Sequence, residues 1–319
     1  MSEQSGPLFS VVMPALNTVD TVAAAIGSVL KQSVASFELI VVDDGSTDGT
    51  ADVVRGIDDS RVRLLQRDHE GAAAARNAGV RAARGRIVSL VDSDDLLMPR
   101  YLEVVGKALD LHPRAGFAYT DAYVLDAATG RVRRTTATQR YRPFPLPQSA
   151  EELHLALLRV NFIYNAVSVP RAVFDHVGGF DESLRATIDY EMWLRIAAHG
   201  FTAVEAPGLL AVYRRGRRDS ISSNRERVLS NMMRVYEIAA DRHPGSDQTR
   251  KLARQQRATV AAELAAVRGG RTPGALRRRG RDLLARARLR ALPGAVWYPQ
   301  PEAPAELAEA FPALVGRGS

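Results

Sequence analysis

Three carboxylates fall within four positions at Asp92, Asp94 and Asp95, directly after a Val-, Ile- and Leu-rich run over 86–91. A buried parallel strand reads this way when it empties into a polar crevice. Neighbouring carboxylates repel one another, so the cluster calls for solvation, proton uptake or a bound cation. Hard divalent ions take oxygen ligands, and Mg²⁺ is typically held by one or two carboxylates together with substrate phosphates. The chemistry implied is a site for a metal ion and a diphosphate at the C-terminal end of a strand. The plain alternative is an acidic helix N-terminus, with Asp95 capping a helix from about Leu96 and Asp92 or Asp94 favouring its dipole.

The elements around the cluster decide how such a site is assembled. Residues 8–13 form a β-branched apolar run stopped by Pro14, and 37–42 form a second run that leads straight into the acidic turn Asp43-Asp44-Gly45-Ser46. Between them, 18–30 place Val22, Ala25, Ile26, Val29 and Leu30 on one helical face. A short helix near 51–55, a third strand over 61–65, an Ala-rich helix opened by Gly71 and the strand over 86–91 complete the first half. Strands alternating with helices at these lengths predict an α/β fold: a doubly wound, Rossmann-like, mostly parallel sheet flanked by helices. Ligands in such sheets sit beyond the strand C-termini. The Pro14, Asp43 and Asp92 loops all follow strand ends, so they are expected to meet in one crevice.

Ser10-Val-Val-Met-Pro-Ala-Leu-Asn17, Val41-Val-Asp-Asp-Gly-Ser-Thr-Asp48, Gly71-Ala-Ala-Ala-Ala-Arg-Asn-Ala-Gly79 and Leu90-Val-Asp-Ser-Asp-Asp95 follow in order, and Gly178-Gly-Phe-Asp-Glu182 and Asp189-Tyr-Glu-Met-Trp-Leu-Arg195 come later. Together they resemble the successive signatures of family 2 glycosyltransferases, inverting enzymes with the GT-A fold. The likeness spans about 8–220, and an ordered set of motifs is far more specific than any one of them.

The resemblance implies a role for each matching position. Asp44 matches the carboxylate that accepts the N3 hydrogen bond of uracil or thymine, with Asp43 beside it and Pro14, Ala15 and Leu16 framing the base. Arg76 matches a nucleotide-contacting arginine, and a guanidinium suits a diphosphate. Asp92 and Asp94 match an Asp-x-Asp signature with Ser93 between them. Asp94 is the direct ligand of Mg²⁺ or Mn²⁺, and Asp92 is nearer the ribose while also placed for the metal. Asp189 matches the general base. The expected donor is a UDP- or dTDP-sugar, and the acceptor is a hydroxyl of a saccharide, natural product, peptide or lipid-linked molecule. Two departures stand out. Leu16 occupies a position where the family often has an aromatic residue, and Gly216 one where it often has a His, leaving Arg214, Arg215, Arg217 and Arg218 as the local cations.

Asp121, at the end of a strand predicted over 115–120, is a candidate for facing the donor sugar, against the alternative of a surface-turn Asp. The Thr-, Arg- and Pro-containing stretch over 126–149 reads as an extended excursion, and Asn165 is a candidate for acceptor or sugar contact, against the alternative of a satisfied loop Asn. Asp189 opens a predicted helix and so also suits an N-cap.

The chain is expected to divide into a GT-A domain over 1–222 and a helical, Arg-rich extension over 223–319. The 319 residues include 46% hydrophobic positions and no Cys, which excludes disulfides and thiolate chemistry. Net charge is +7, with Arg crowded after residue 250. Helices are predicted over 225–240 and 249–267, where packing on the sheet domain or in a homodimer is expected. A basic amphipathic stretch over 273–292 suggests peripheral contact with an anionic membrane surface. Without a leader-like N-terminus or a spanning apolar run, the expected location is cytoplasmic, at most peripheral to the inner face of the membrane. Among rival functions, a metal-dependent sugar nucleotidyltransferase would carry a Gly-rich phosphate loop after the first strand, which Met13-Pro-Ala-Leu-Asn17 is not. A non-catalytic nucleotide-sugar-binding protein would have no need of Asp94 and Asp189 together. No Gly-x-Gly-x-x-Gly follows the first strand, which removes dehydrogenases, and no aromatic-interleaved basic stripe supports nucleic-acid binding.

Overall fold

The computed structural model describes residues 6–132, 143, 145–163, 166–216, 224–269 and 305–311. The first half alternates β1 (Phe9–Ala15), α1 (Val22–Leu30), β2 (Phe37–Asp43), α2 (Thr50–Arg55), β3 (Val62–Gln66), α3 (Ala72–Ala82) and β4 (Ile87–Leu90). There follow β5 (Leu96–Leu97), α4 (Tyr101–Leu111), β6 (Ala115–Asp126), α5 (Ala150–Arg159), β7 (Val167–Pro170), α6 (Arg171–Val177), α7 (Ile188–Ala198) and β8 (Thr202–Arg215). The described chain closes with α8 (Arg225–Asp241), α9 (Asp247–Arg268) and a short α10 (Ala305–Ala310).

One sheet has the order β3-β2-β1-β4-β7-β6-β8-β5. Strands β3, β2, β1 and β4 run parallel, with Val12 opposite both Ile40 and Leu90. Strand β7 is antiparallel to both of its neighbours, β6 and β8 are parallel, and β5 is antiparallel to β8. The winding runs outward from β1 to β3 and then crosses back to β4 on the other side of β1. The topological switch therefore lies between β1 and β4, where a crevice opens at the strand C-termini.

Alternate residues of each strand feed opposite faces. Val12, Ile40, Val42, Val88 and Leu90 pack with α3, α5, α6, α7, α8 and α9, while Val11, Met13, Leu39, Val41 and Ile87 pack with α1, α2 and α4. The near-continuous apolar runs of β1, β2 and β4 follow from this two-sided burial. A third, smaller cluster joins Leu96, Met98, Tyr123, Leu125 and Val212 to Leu307 of α10.

Several boundaries differ from the sequence reading. Leu96 does not start a helix: Leu96 and Leu97 pair with Val212 and Ala211, and α4 begins only at Tyr101, after Pro99. Both leucines are buried, so a long-range pairing overrides the local pattern, and the capping role for Asp95 falls away. Strand β6 continues through Asp121 to Asp126, with register shifts on either side of Asp121. Helix α5, unread in the sequence, starts from a capping box in which Ser149 and Glu152 each hold the other's backbone N–H.

Candidate active site

The three expected loops lie at the mouth of the switch point. Where β2 ends, Asp43 and Asp44 are both 2% exposed, but they face different work. Asp43 Oδ1 accepts the Ser46 amide at 3.1 Å, shaping the turn in which Gly45 takes φ +83. A Cβ on Gly45 would meet the His69 amide nitrogen at 3.1 Å, so the left-handed turn and close approach together suit glycine. Asp44 turns its carboxylate to the loop before α3, where Glu70 N donates at 3.1 Å, Gly71 N at 2.9 Å and His69 Nδ1 lies at 2.9 Å. A carboxylate offers about four lone-pair sites. Three partners leave room on Oδ1 for one more donor, such as an imide N–H.

The β1 loop is tied to this turn. Asn17, at φ +50, takes the Thr47 amide on Oδ1 at 2.9 Å and gives its own N–H to Ser46 Oγ at 2.9 Å. Ala15 is buried, Pro14 half-buried and Leu16 39% exposed, so Leu16 presents an aliphatic face where an aromatic ring had been the family expectation.

On the other side of the switch, the ligand atoms of Asp92, Asp94 and Asp95 lie within 4.8 Å of one another. Asp95 is buried and accepts the Arg214 amide at 2.9 Å. Burial, reinforced by Asp94 and Asp92, pushes its carboxyl well above the usual carboxylate range. A hard cation relieves that conflict, and one or two of these neighbouring carboxylates, completed by phosphate oxygens, are the oxygen donors it takes, so the residues present fit Mg²⁺ or Mn²⁺. Ser93 is buried between the ligands.

Arg76, on α3, joins the two sides. Its Nη2 donates to Asp92 Oδ1 at 2.6 Å, and its guanidinium lies 5.9 Å from the Phe180 ring centroid. Asp189 sits in the same electrostatic neighbourhood: burial raises its carboxyl, Arg76 opposes the rise and Asp92 adds to it. Asp189 is the second residue of α7, and the residue before that helix is Thr187, in the left-handed region at φ +56 with no side-chain cap. The Asp189 carboxylate itself takes backbone N–H groups at the helix start, its own and that of Tyr190, and both favour its charged form.

The structure therefore joins Arg76 to Asp92, with Ser93 and Asp94 alongside and Asp189 within electrostatic reach, and separately joins the Asp44 amide to the Ala15 carbonyl, with Pro14, Leu16 and Asp43 as their chain neighbours. Arg185 donates Nη1 to the carbonyl of Glu70, whose amide holds Asp44, at 2.8 Å. Sequence reasoning assigned no role to His69 or Arg185, and it placed Asp95 in the acidic cluster or at a helix cap without making it a metal ligand. Asp95 was visible as the third acid of the run, whereas nothing local marks His69 or Arg185. Asp121 is buried and caps its neighbour, with Oδ1 accepting the Ala122 amide at 2.8 Å. Asn165, Arg217, Arg218 and the 273–292 stretch lie outside the described residues, as does most of 133–144.

The family model described as "Glycosyl transferase family 2" matches residues 10–169, half of the chain. A relative from Escherichia coli, UDP-Glc:alpha-D-GlcNAc-diphosphoundecaprenol beta-1,3-glucosyltransferase WfgD, is 31% identical over 236 residues, covering 73% of this chain and 86% of that protein. The chain belongs to glycosyl transferase family 2. It is accordingly an enzyme of the glycosyltransferase class. Succinoglycan biosynthesis protein ExoO of Rhizobium meliloti is 33% identical over 65% of this chain, and the match spans 60% of that longer protein. Among solved structures, S. aureus TarS 1-349 in complex with UDP-GlcNAc superposes with TM-score 0.66 at 17% identity, covering 97% of this chain and 90% of that one. A mannosyltransferase from Pyrobaculum calidifontis, solved with GDP-Man and Mn²⁺, gives TM-score 0.60 at 20% identity over 99% and 88% of the two chains. These two likenesses show the GT-A fold of this family 2 glycosyltransferase. Among the described residues, no helix is long and apolar enough to cross a membrane.

Proposed function

We propose that this family 2 glycosyltransferase moves a sugar from a UDP- or dTDP-sugar to an acceptor hydroxyl in one inverting displacement. The observation that carries the reading is the shared environment of Arg76, Asp92 and Asp189, in which Asp189 feels both a guanidinium and the first acid of the Asp cluster. Asp44 receives the N3–H of the base on its remaining acceptor site, and Leu16 covers the ring. Arg76, already anchored on Asp92, directs its other N–H groups to the diphosphate. Asp94 and Asp92, with Asp95 behind them, would hold Mg²⁺ or Mn²⁺, which when bound supplies Lewis-acid neutralisation of diphosphate charge.

Asp189 takes the proton of the attacking hydroxyl. The acceptor oxygen bonds to the anomeric carbon from the face opposite the diphosphate, the carbon–oxygen bond to phosphate breaks, and its electron pair leaves with the nucleotide. One displacement inverts the anomeric centre. Burial helps the base, because a carboxylate whose charged form is disfavoured by its surroundings is a stronger proton acceptor. WfgD, by its name, acts on a diphosphoundecaprenol-linked sugar, and a lipid-linked hydroxyl is the acceptor to test first. Residues 1–222 would then form the transfer domain, with 223–319 as a helical extension open to a homodimer or to membrane contact.

Thermal protection tests the donor side: UDP or dTDP should stabilise the protein in the presence of Mn²⁺ or Mg²⁺, and Asp94→Ala should remove the effect. Protection by GDP alone, or by UDP without any dependence on the metal, would overturn the assignment of Asp44 and Asp94.

A further inference from the structure

We infer that the α8–α9 hairpin is a positioning element for Asp189, bracing the segment on either side of it through Asn231 and His243. The inference rests on the reading of Asp189 as the base. Just upstream, Thr187 holds a left-handed backbone at φ +56, a conformation that costs a non-glycine residue on the order of 1 kcal/mol or more unless its surroundings impose it. Helix α7 has no side-chain cap of its own. The constraint comes instead from α8: Asn231 Oδ1 accepts both the Arg185 amide at 2.8 Å and the Ala186 amide at 3.2 Å. Asn231 is oriented for this by its own Nδ2, which donates to the Arg227 carbonyl at 2.9 Å.

Just downstream, two consecutive residues are anchored on the same hairpin. The Tyr190 hydroxyl donates to the Leu157 carbonyl at 2.6 Å and lies 3.2 Å from the Tyr236 hydroxyl of α8. Glu191, 1% exposed, meets His243 Nε2 at 2.9 Å, in the turn between α8 and α9, and Arg195 Nε at 2.9 Å. Burial by itself would raise the Glu191 carboxyl, but the hydrogen bonds from His243 and Arg195 outweigh it and keep it ionised. A buried carboxylate held by two partners has one position, and losing either partner leaves a charge that must move or find water.

The brace continues to the donor side. Arg195 donates to the Val177 and Gly179 carbonyls at 2.5 and 2.6 Å, and the following Phe180 exchanges both of its backbone hydrogen bonds with Asn77, next to Arg76 on α3. The segment that carries the base is thus held directly by the hairpin, whereas the diphosphate arginine is reached only through Arg195, the 177–180 turn and Asn77 and keeps its own anchor on Asp92. Misplacing a catalytic group by about 1 Å is enough to cost on the order of a hundredfold in rate.

The test uses the full chain with Asn231→Ala, His243→Ala and His243→Gln, the last keeping a donor for Glu191, and Asp189→Asn as control. Release of the nucleoside diphosphate is followed with Mn²⁺ and a panel of UDP-glucose and UDP-N-acetylglucosamine (UDP released) and dTDP-rhamnose (dTDP released), alongside the Kd for UDP. Asn231→Ala and His243→Ala are expected to lower kcat about tenfold to a hundredfold while Kd for UDP changes by less than about twofold, and His243→Gln is expected to restore most of the rate. Wild-type kcat in folded Asn231→Ala and His243→Ala, or loss of UDP binding in step with kcat, overturns the inference. Should His243→Ala fail to fold, half-exposed Asn231 carries the test alone. Normal turnover by Asp189→Asn would instead remove the base reading itself, a result distinct from a dead Asp189→Asn beside fully active hairpin variants.

Discussion

Neutralising Asp95 should make the metal-free protein more stable and the nucleotide-bound protein no better. The oxygens of Asp92, Asp94 and Asp95 lie within 4.8 Å of one another; at an effective dielectric of about 20, each ionised pair at that spacing repels by about 3 kcal/mol. Burial, and then Asp94 and Asp92, raise the Asp95 carboxyl and so disfavour its charged form. The expected gain from Asp95→Asn is therefore about 1 to 3 kcal/mol. The amide oxygen still accepts from the Arg214 N–H, now at 2.9 Å from Asp95 Oδ1, so the substitution removes charge without orphaning a buried donor. Unfolding entropy of roughly 2.1 cal/mol/K per residue turns that gain into an increase in Tm of roughly 2 to 4 °C for 319 residues.

Differential scanning fluorimetry in EDTA, and again with Mn²⁺ and UDP, separates the two effects. At a hundredfold excess over Kd, Mn²⁺–UDP should add about 2.7 kcal/mol to the wild type, roughly 4 °C. It should add less to Asp95→Asn, which has lost part of the charge the cation neutralises. A lower Tm for Asp95→Asn in EDTA, or an undiminished Mn²⁺–UDP increment, would refute the claim that the acids are assembled at a cost to the fold for the sake of a cation.

Asp189→Asn should bind UDP with Mn²⁺ as tightly as the wild type by calorimetry and lose transfer by about 10²- to 10⁴-fold, the usual contribution of a general base. Because burial and Asp92 raise the Asp189 carboxyl against the opposing pull of Arg76, the base form is lost as pH falls through a value above the ordinary aspartate figure of about 3.9. The acid limb of kcat/KM should lie above that figure and move higher still in Arg76→Met. Gly79→Ala places a Cβ 2.3 Å from Val12 Cγ1, and overpacking between α3 and β1 should cost about 1 to 3 kcal/mol by urea denaturation. Leu307→Ala, at a fully buried position against Leu96 and Val212, should lower stability by about 2 to 5 kcal/mol if α10 is integral to the fold.

What could be read in the sequence was the part of the site built from contiguous residues. Apolar runs ending in Pro14, Asp43 and Asp92 announce strands that open on one crevice, because a two-sided parallel sheet requires continuous burial and its strand ends require polar loops. What could not be read depends on residues far apart in the chain. Leu96 and Leu97 are a strand only because Val212 and Ala211 lie beside them, and a two-residue pairing leaves no periodicity to detect. Asp95 faces the cluster because the Arg214 amide, 119 positions away, holds its carboxylate. Asp189 stood out as a motif residue at a helix start, yet its setting is fixed by Asn231, Tyr236 and His243, which in sequence are ordinary residues of an Arg-rich amphipathic hairpin. On the proposed reading, motif residues would carry the reaction, while the non-motif C-terminal helices would decide where one of them stands. Replacing that hairpin should therefore alter the rate of transfer before it alters nucleotide recognition, since the hairpin touches the segments flanking Asp189 directly but reaches the three donors of Asp44 only through Arg185 and the Glu70 carbonyl.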